Sequence, residues 1–85
     1  MKRLVVEDGS SPLLEHIGKR LTFFCGNYIY TGLLTGVNET CVLLTSAAIV
    51  YETGPLGDNE WKDAQPLPGE WYIQLGWVES FGVLK

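Results

Sequence analysis

The sequence predicts a mainly β fold, with a short N-terminal helix followed by a five-stranded, strongly bent antiparallel sheet. Three observations predict it. Residues 28–51, YIYTGLLTGVNETCVLLTSAAIVY, read as a strand, a tight turn and a second long strand, rich in β-branched and aromatic side chains that suit a pleated surface. Gly32 sits inside the first of these strands, where a glycine marks a bend or a close backbone approach. A long bent hairpin of that kind is how a small sheet closes on itself. Finally, 85 residues with 46% hydrophobic and 12% aromatic content describe one domain spanning 1–85 rather than a disordered tail.

Each element follows in order. Lys2–Val6 is a short strand or ordered arm within 1–10, broken by Asp8-Gly9-Ser10-Ser11. Ser11 is a good helix N-cap, Pro12 fits the first helical position, and Leu13, Leu14 and Ile17 recur at helical spacing before Gly18. The spacing therefore predicts a short helix over 12–17 that lays its apolar face on the sheet. Leu21–Cys25 is the first core strand, and Gly26-Asn27 is read as a two-residue hairpin loop with positive φ. Gly36-Val37-Asn38-Glu39-Thr40 supplies the central turn, in which Asn38 can bond its own backbone. Cys41–Leu44 resumes as an apolar run buried on both faces, and the strand continues to Tyr51 with an irregularity near Ser46-Ala47. Residues 53–69, rich in Gly, Pro and Asp, form a long loop between the third and fourth strands. Trp61 in its middle either folds back over the sheet or meets a partner. Glu70–Leu75 is the fourth strand, Gly76-Trp77 a tight corner, and Val78–Leu84 the last strand.

The formal net charge of −4 argues against a broad electrostatic grip on nucleic acid, which depends on Lys and Arg. Four of the six basic residues lie in Lys2-Arg3 and Lys19-Arg20. Cys25 and Cys41 form no CxxC and the chain has a single histidine, His16, so no metal site is expected. The two cysteines read as small buried hydrophobes of a reducing compartment. The apolar run near Met1 is too short for a signal peptide, and no segment approaches the roughly 20 apolar residues of a membrane span. A cytoplasmic protein with no cofactor is expected. Catalysis is not, because no nucleophile–base pair or phosphate-binding glycine loop is present.

Two passages resemble the Sm/LSm family, which includes the Hfq-like proteins. Pro12–Phe23 is similar to that family's N-terminal helix running through Gly-Lys into its first strand. Gly32-Leu33-Leu34-Thr35-Gly36-Val37-Asn38 is similar to its first motif, in which G-x-L-x-G-hydrophobic-Asp bends the second strand. The departures are specific. Asn38 replaces the usual Asp, Cys41 and Val42 stand where Met and a base-contacting Asn are common, and Gln74-Leu75-Gly76 lacks the Arg of the second motif. The resemblance implies an Sm-like, SH3-like small barrel and a homo-oligomeric ring of roughly five to seven subunits. In such a ring the fourth strand of one subunit pairs with the fifth of the next. Trp71, Tyr72, Ile73, Leu75, Val78, Phe81 and Val83 would line that contact, where apolar sheet edges would otherwise invite uncontrolled pairing.

Two functions follow as expectations. The first is a ring that binds single-stranded RNA or DNA. Asn38, Glu39, Thr40, Gly76 and Trp77 would face the strand, with Trp77 or Tyr28 stacking on a base and Lys19 and Arg20 touching phosphates at the rim. The second is a structural or protein-interaction ring without the uridine-type pocket, favoured by the acidic balance and the missing Arg. A monomeric SH3-like adaptor ranks behind both, because it would leave apolar edges bare.

Overall fold

A computed structural model describes residues 12–85; the expected arm at 1–10 lies outside the described residues. The architecture is one six-stranded antiparallel sheet with almost no helix. In chain order come a 3₁₀ turn at Pro12–His16, β1 (Arg20–Cys25), β2 (Ile29–Val37), β3 (Cys41–Glu52), β4 (Asp63–Pro66), β5 (Trp71–Gln74), a second 3₁₀ turn at Leu75–Trp77 and β6 (Val78–Gly82). The neighbours run β4-β3-β2-β1-β6. β5 pairs with β3 over Cys41–Leu44 and β4 pairs with it over Ala48–Glu52, so β4 and β5 follow one another along a single flank of β3.

The sequence reading departs from this structure in four places. The expected helix over 12–17 is a 3₁₀ turn, and among the described residues no α-helix forms. Six residues between Ser11 and Gly18 are too few to repay α-helix nucleation. Leu13 alone of that segment's apolar residues enters the core, while Leu14 and Ile17 are about half exposed. Gly18 does end the turn, at φ +91°. The 53–69 segment is not one loop, because β4 forms within it. Asp63-Ala64-Gln65-Pro66 carries little strand propensity, but an edge strand tolerates proline, and β3 offers an unpaired flank there. Third, the Gly26-Asn27 loop has the expected two-residue length, with Cys25 N donating to Tyr28 O at 3.0 Å, yet neither residue has a positive φ. Fourth, β6 stops at Gly82 rather than Leu84.

The core gathers Leu13, Leu21, Phe23, Leu34, Val42, Leu44, Ala47 and Ile73. Val42 and Leu44 alternate on β3 with the two-residue period of a strand whose one face turns inward, whereas on β1 Leu21, Thr22 and Phe23 are all fully buried, so that strand is enclosed on both faces. Cys41 and Leu43 are half-buried, so the start of β3 is less enclosed than the apolar run suggested.

Gly32 is where the sheet is bent. Along β2–β3, Thr31 faces Ala48 and Leu33 faces Thr45, so Gly32 lies opposite two residues, Ser46 and Ala47, at a β-bulge. Ser46 takes φ +48°, the one positive value among described non-glycine residues. A Cβ on Gly32 would stand 3.1 Å from Ala47 Cα and 3.1 Å from Leu44 Cβ and Cδ1. Arg20 reaches across from β1 and its Nη2 donates to Ser46 O at 3.1 Å, satisfying a carbonyl at the bulge. A second register shift follows between Leu34 and Gly36, beside which Thr35 Oγ1 donates to Leu43 O at 3.2 Å.

The curl that results can be measured from two hydrogen bonds. Leu75 N donates to Thr40 O at 2.8 Å and Gly26 N donates to Trp77 O at 3.1 Å. Gly26 and Thr40 flank opposite ends of β2, a strand whose nine residues would extend roughly 30 Å if straight. The three residues 75–77 bridge the same two points and reach at most about 10 Å. β2 is therefore strongly bent, and its two hairpin ends meet across the second 3₁₀ turn.

Gly32→Ala is expected to lower stability by about 1–3 kcal/mol, as overpacking does, because two of its new neighbours belong to the backbone or the core. Urea denaturation followed by tryptophan fluorescence measures this, and an unchanged midpoint would show that the close approach carries no strain.

Candidate functional site

The second 3₁₀ turn brings two hairpin ends together, and a cleft of about 220 Å³ opens beside it. Its walls are the β1–β2 loop, Tyr30 and β5, with Trp77 at the mouth. Five aromatic residues line it: Tyr28, Tyr30, Trp71, Tyr72 and Trp77. Trp77 is held in two ways. Its carbonyl accepts from Gly26 N, and its indole lies against that glycine, where a Cβ would stand 3.6 Å from Cε3. Tyr28 and Tyr30 meet edge to face with centroids 6.3 Å apart. Trp77 is 64% exposed, Tyr72 59% and Tyr28 50%, an unusual outlay of large apolar surface at one place on so small a chain.

None of the described residues lining the cleft is Asp, Glu, Lys, Arg or His. Burial, then Glu79 nearby, pushes the Cys25 thiol above its ordinary range. Burial likewise raises the Tyr30 phenol, helped by Cys25, Tyr28 and Tyr51. Both groups therefore keep their protons, and neither is an activated nucleophile. Cys25 and Cys41 are free and half-buried.

The central turn is built as its residues suggested. Asn38 Oδ1 accepts from Thr40 N at 2.8 Å, Cys41 N at 2.9 Å and Thr40 Oγ1 at 3.2 Å, and Asn38 N donates to Cys41 O at 3.0 Å. The carbonyl of Asn38 is thus engaged within the turn, and Glu39 is exposed at its tip. Val42 is fully buried in the core and presents nothing to a ligand.

The structure therefore divides the residues singled out from the sequence. Thr40 is tied to Leu75 at one end of the second 3₁₀ turn, while Asn38, Glu39, Thr40 and Gly76 do not line the cleft; Tyr28 and Trp77 do. Lys19 and Arg20 stand apart. Arg20 begins β1 and Cys25 ends it, a separation of roughly 17 Å along the strand, and Arg20 is engaged at the Ser46 bulge. The expected contact residues also differ among themselves. Ile73 is 5% exposed and belongs to the core, Trp71, Leu75, Val78 and Phe81 are half-buried against it, and Tyr72 and Val83 are open. The cleft role of Tyr30, Trp71 and Tyr72 was not foreseen. Its signal was the clustering of aromatics in two strands that only the fold brings face to face.

Among the described residues, no three His, Cys, Asp or Glu side chains gather as a metal site. No helix there is long and apolar enough to cross a membrane. His16 packs its ring edge-on against Phe81 at 6.4 Å. No known protein-family model matches the chain, and no significant match is found among curated proteins or solved structures.

Asn38→Ala removes an oxygen that accepts three hydrogen bonds and is expected to cost about 1–2 kcal/mol of stability. It should also broaden the backbone amide resonances of Thr40, Cys41 and Leu75 in a nitrogen–proton correlation spectrum. Unchanged stability would mean that the turn does not rely on that side chain.

Proposed function

We propose that this chain is the subunit of a homo-oligomeric, Sm-like small-barrel ring that binds single-stranded RNA by stacking bases in the aromatic cleft. The observation that carries the RNA reading is the cleft itself. Tyr28, Tyr72 and Trp77 expose flat π-faces around it, and each base stacked on such a face is worth about 1–3 kcal/mol. The Asn38–Thr40 turn, tied to Leu75 through the Thr40 carbonyl, adds polar groups at the other end of the second 3₁₀ turn.

The ring reading rests on the sheet edges. Among the described residues β5 pairs only with β3, and β6 only with β1, so each leaves one flank that no described strand covers. A cyclic array in which β5 of one copy pairs with β6 of the next would satisfy both flanks on every copy. The strand order β5-β3-β2-β1-β6 and the short turn joining β5 to β6 suit a small barrel left open between those strands.

The acidic balance shapes how such a ring would hold RNA. With a net charge of −4 and Arg20 away from the cleft, stacking rather than phosphate contact would dominate. A second reading, a ring that binds protein, is favoured by the engaged Asn38 carbonyl and the absence of an Arg at Gln74-Leu75-Gly76.

Two measurements test the proposal. Light scattering at micromolar concentration should give roughly five to seven times the 9.4 kDa chain mass; a monomer would end the ring reading. Oligo(A) and oligo(U) labelled with a fluorophore should bind at low salt, with a shallow dependence on salt. Trp77→Ala should weaken that binding by roughly five- to hundredfold without changing the mass. An intact ring that binds neither oligonucleotide would leave the protein-binding reading.

A further inference from the structure

Lys85 lies three residues past β6, yet its ammonium ends in the loop that follows β3. Its Nζ donates to Thr53 O at 2.9 Å, Pro55 O at 2.9 Å and Glu60 O at 2.8 Å, and stands 4.6 Å from the centroid of the Trp61 ring. An ammonium carries three protons and no acceptor, so three carbonyls use every donor it has. The electron-rich face of Trp61 adds attraction for the charge. The contact with Glu60 is to its backbone oxygen, so the arrangement is a cage of neutral dipoles and not a salt bridge.

The loop builds this cage largely through its own bonds. Lys62 N donates to Thr53 O at 3.4 Å and Asp58 N to Pro55 O at 3.1 Å, so two of the three carbonyls are oriented from within the loop. Thr53 Oγ1 donates to Gly54 O at 2.8 Å, and Gly54 takes φ +66°, a turn that keeps its backbone close to Lys62. At the base, Lys62 and Glu52 form an ion pair at 3.4 Å, both side chains largely exposed. Beside the cage runs an open groove of about 470 Å³ bordered by Arg20, Trp61 and Lys85, through which a small cation can enter.

We infer that the Thr53–Lys62 loop is a binding site for a primary ammonium group, and that Lys85 is the ligand filling it in this chain. The geometry selects this chemistry. A guanidinium presents a planar fork whose protons diverge and do not converge on three carbonyls, and a quaternary ammonium has no proton to donate. Filling the site latches two distant parts of the fold. Gly82 pairs with Thr22 on β1, whereas the loop joins β3 to β4, so the Lys85 contacts tie the segment after β6 to a connection on other strands. Emptying it frees that segment and the loop together.

The test needs no knowledge of any partner. In the unaltered chain, the Lys85 ammonium protons should give a distinct, slowly exchanging nitrogen–proton resonance; if they exchange as fast as those of an exposed lysine, the inference falls. Lys85→Ala should shift the Trp61 indole resonance, identified by Trp61→Phe, and speed proteolytic cleavage within 53–62 by about tenfold or more. Propylammonium at millimolar concentration should reverse both changes, while tetramethylammonium at equal ionic strength should not. Equal protection of the loop in Lys85→Ala and the parent, or equal rescue by the two cations, would overturn the site.

Discussion

The closest constraint in this fold is the contact between the backbone of Gly32 and the β3 segment at Leu44 and Ala47. A side chain has no room there, since a Cβ would meet backbone and core atoms at 3.1 Å. Once β2 and β3 approach that closely, the extra residue on β3 must bulge, and Ser46 takes the positive φ that lets it do so. The bulge increases the local twist and bends the hairpin, and the Ser46 carbonyl accepts from Arg20 of β1, on the far side of β2. The remaining architecture follows from that bend. The ends of β2 come near enough for three residues to bridge them, and that bridge sets Trp77 over Gly26 and Leu75 against Thr40.

Those relations explain which parts could be read from the residues. The central hairpin was legible because strand alternation, an internal glycine and an Asx-type turn are local signals, and each names its own consequence. An irregularity near Ser46-Ala47 was also expected, but its cause is visible only in the register, where Gly32 opposes both residues. The first turn was less legible. Ser11-Pro12 and Gly18 punctuate a helix correctly, but only packing decides between α and 3₁₀ geometry over so few residues, and only Leu13 found a place in the core. β4 left no signal in Asp63–Pro66, since the strand exists because β3 outruns β5 and offers its remaining flank. The aromatic cleft was hidden for the same reason. Residues 28–30 and 71–77 are far apart in sequence and meet only after the sheet has curled.

Charge gives a second thread. The described residues include four cations, Lys19, Arg20, Lys62 and Lys85. Three of them contact the chain's own oxygens: Arg20 at the bulge, Lys62 with Glu52, and Lys85 in the carbonyl cage. Among the described residues this leaves little free positive charge to attract phosphate over a distance. The neutral thiol and phenol at the cleft point the same way, as both keep their protons and add no charge. What the cleft offers is therefore shape, aromatic faces and backbone hydrogen-bonding groups, the interactions least weakened by physiological salt.

Size links these observations. A chain of 85 residues removes only about 60–65% of its surface from water on folding, so much apolar surface stays outside. Leu14, Ile17, Tyr51, Leu56 and Val83 carry some of it outside the cleft, and part of it gathers at one place: Tyr28, Tyr72 and Trp77 around the cleft, with flanks of β5 and β6 that no described strand covers on either side of the second 3₁₀ turn. The bend at Gly32 is what concentrates it, because it draws β5, β6 and the β1–β2 loop to a common end of the sheet. Relaxing that bend would return the flanks and the aromatics to separate places. One glycine without a side chain thereby joins the packing of this domain to the placement of its aromatic cleft.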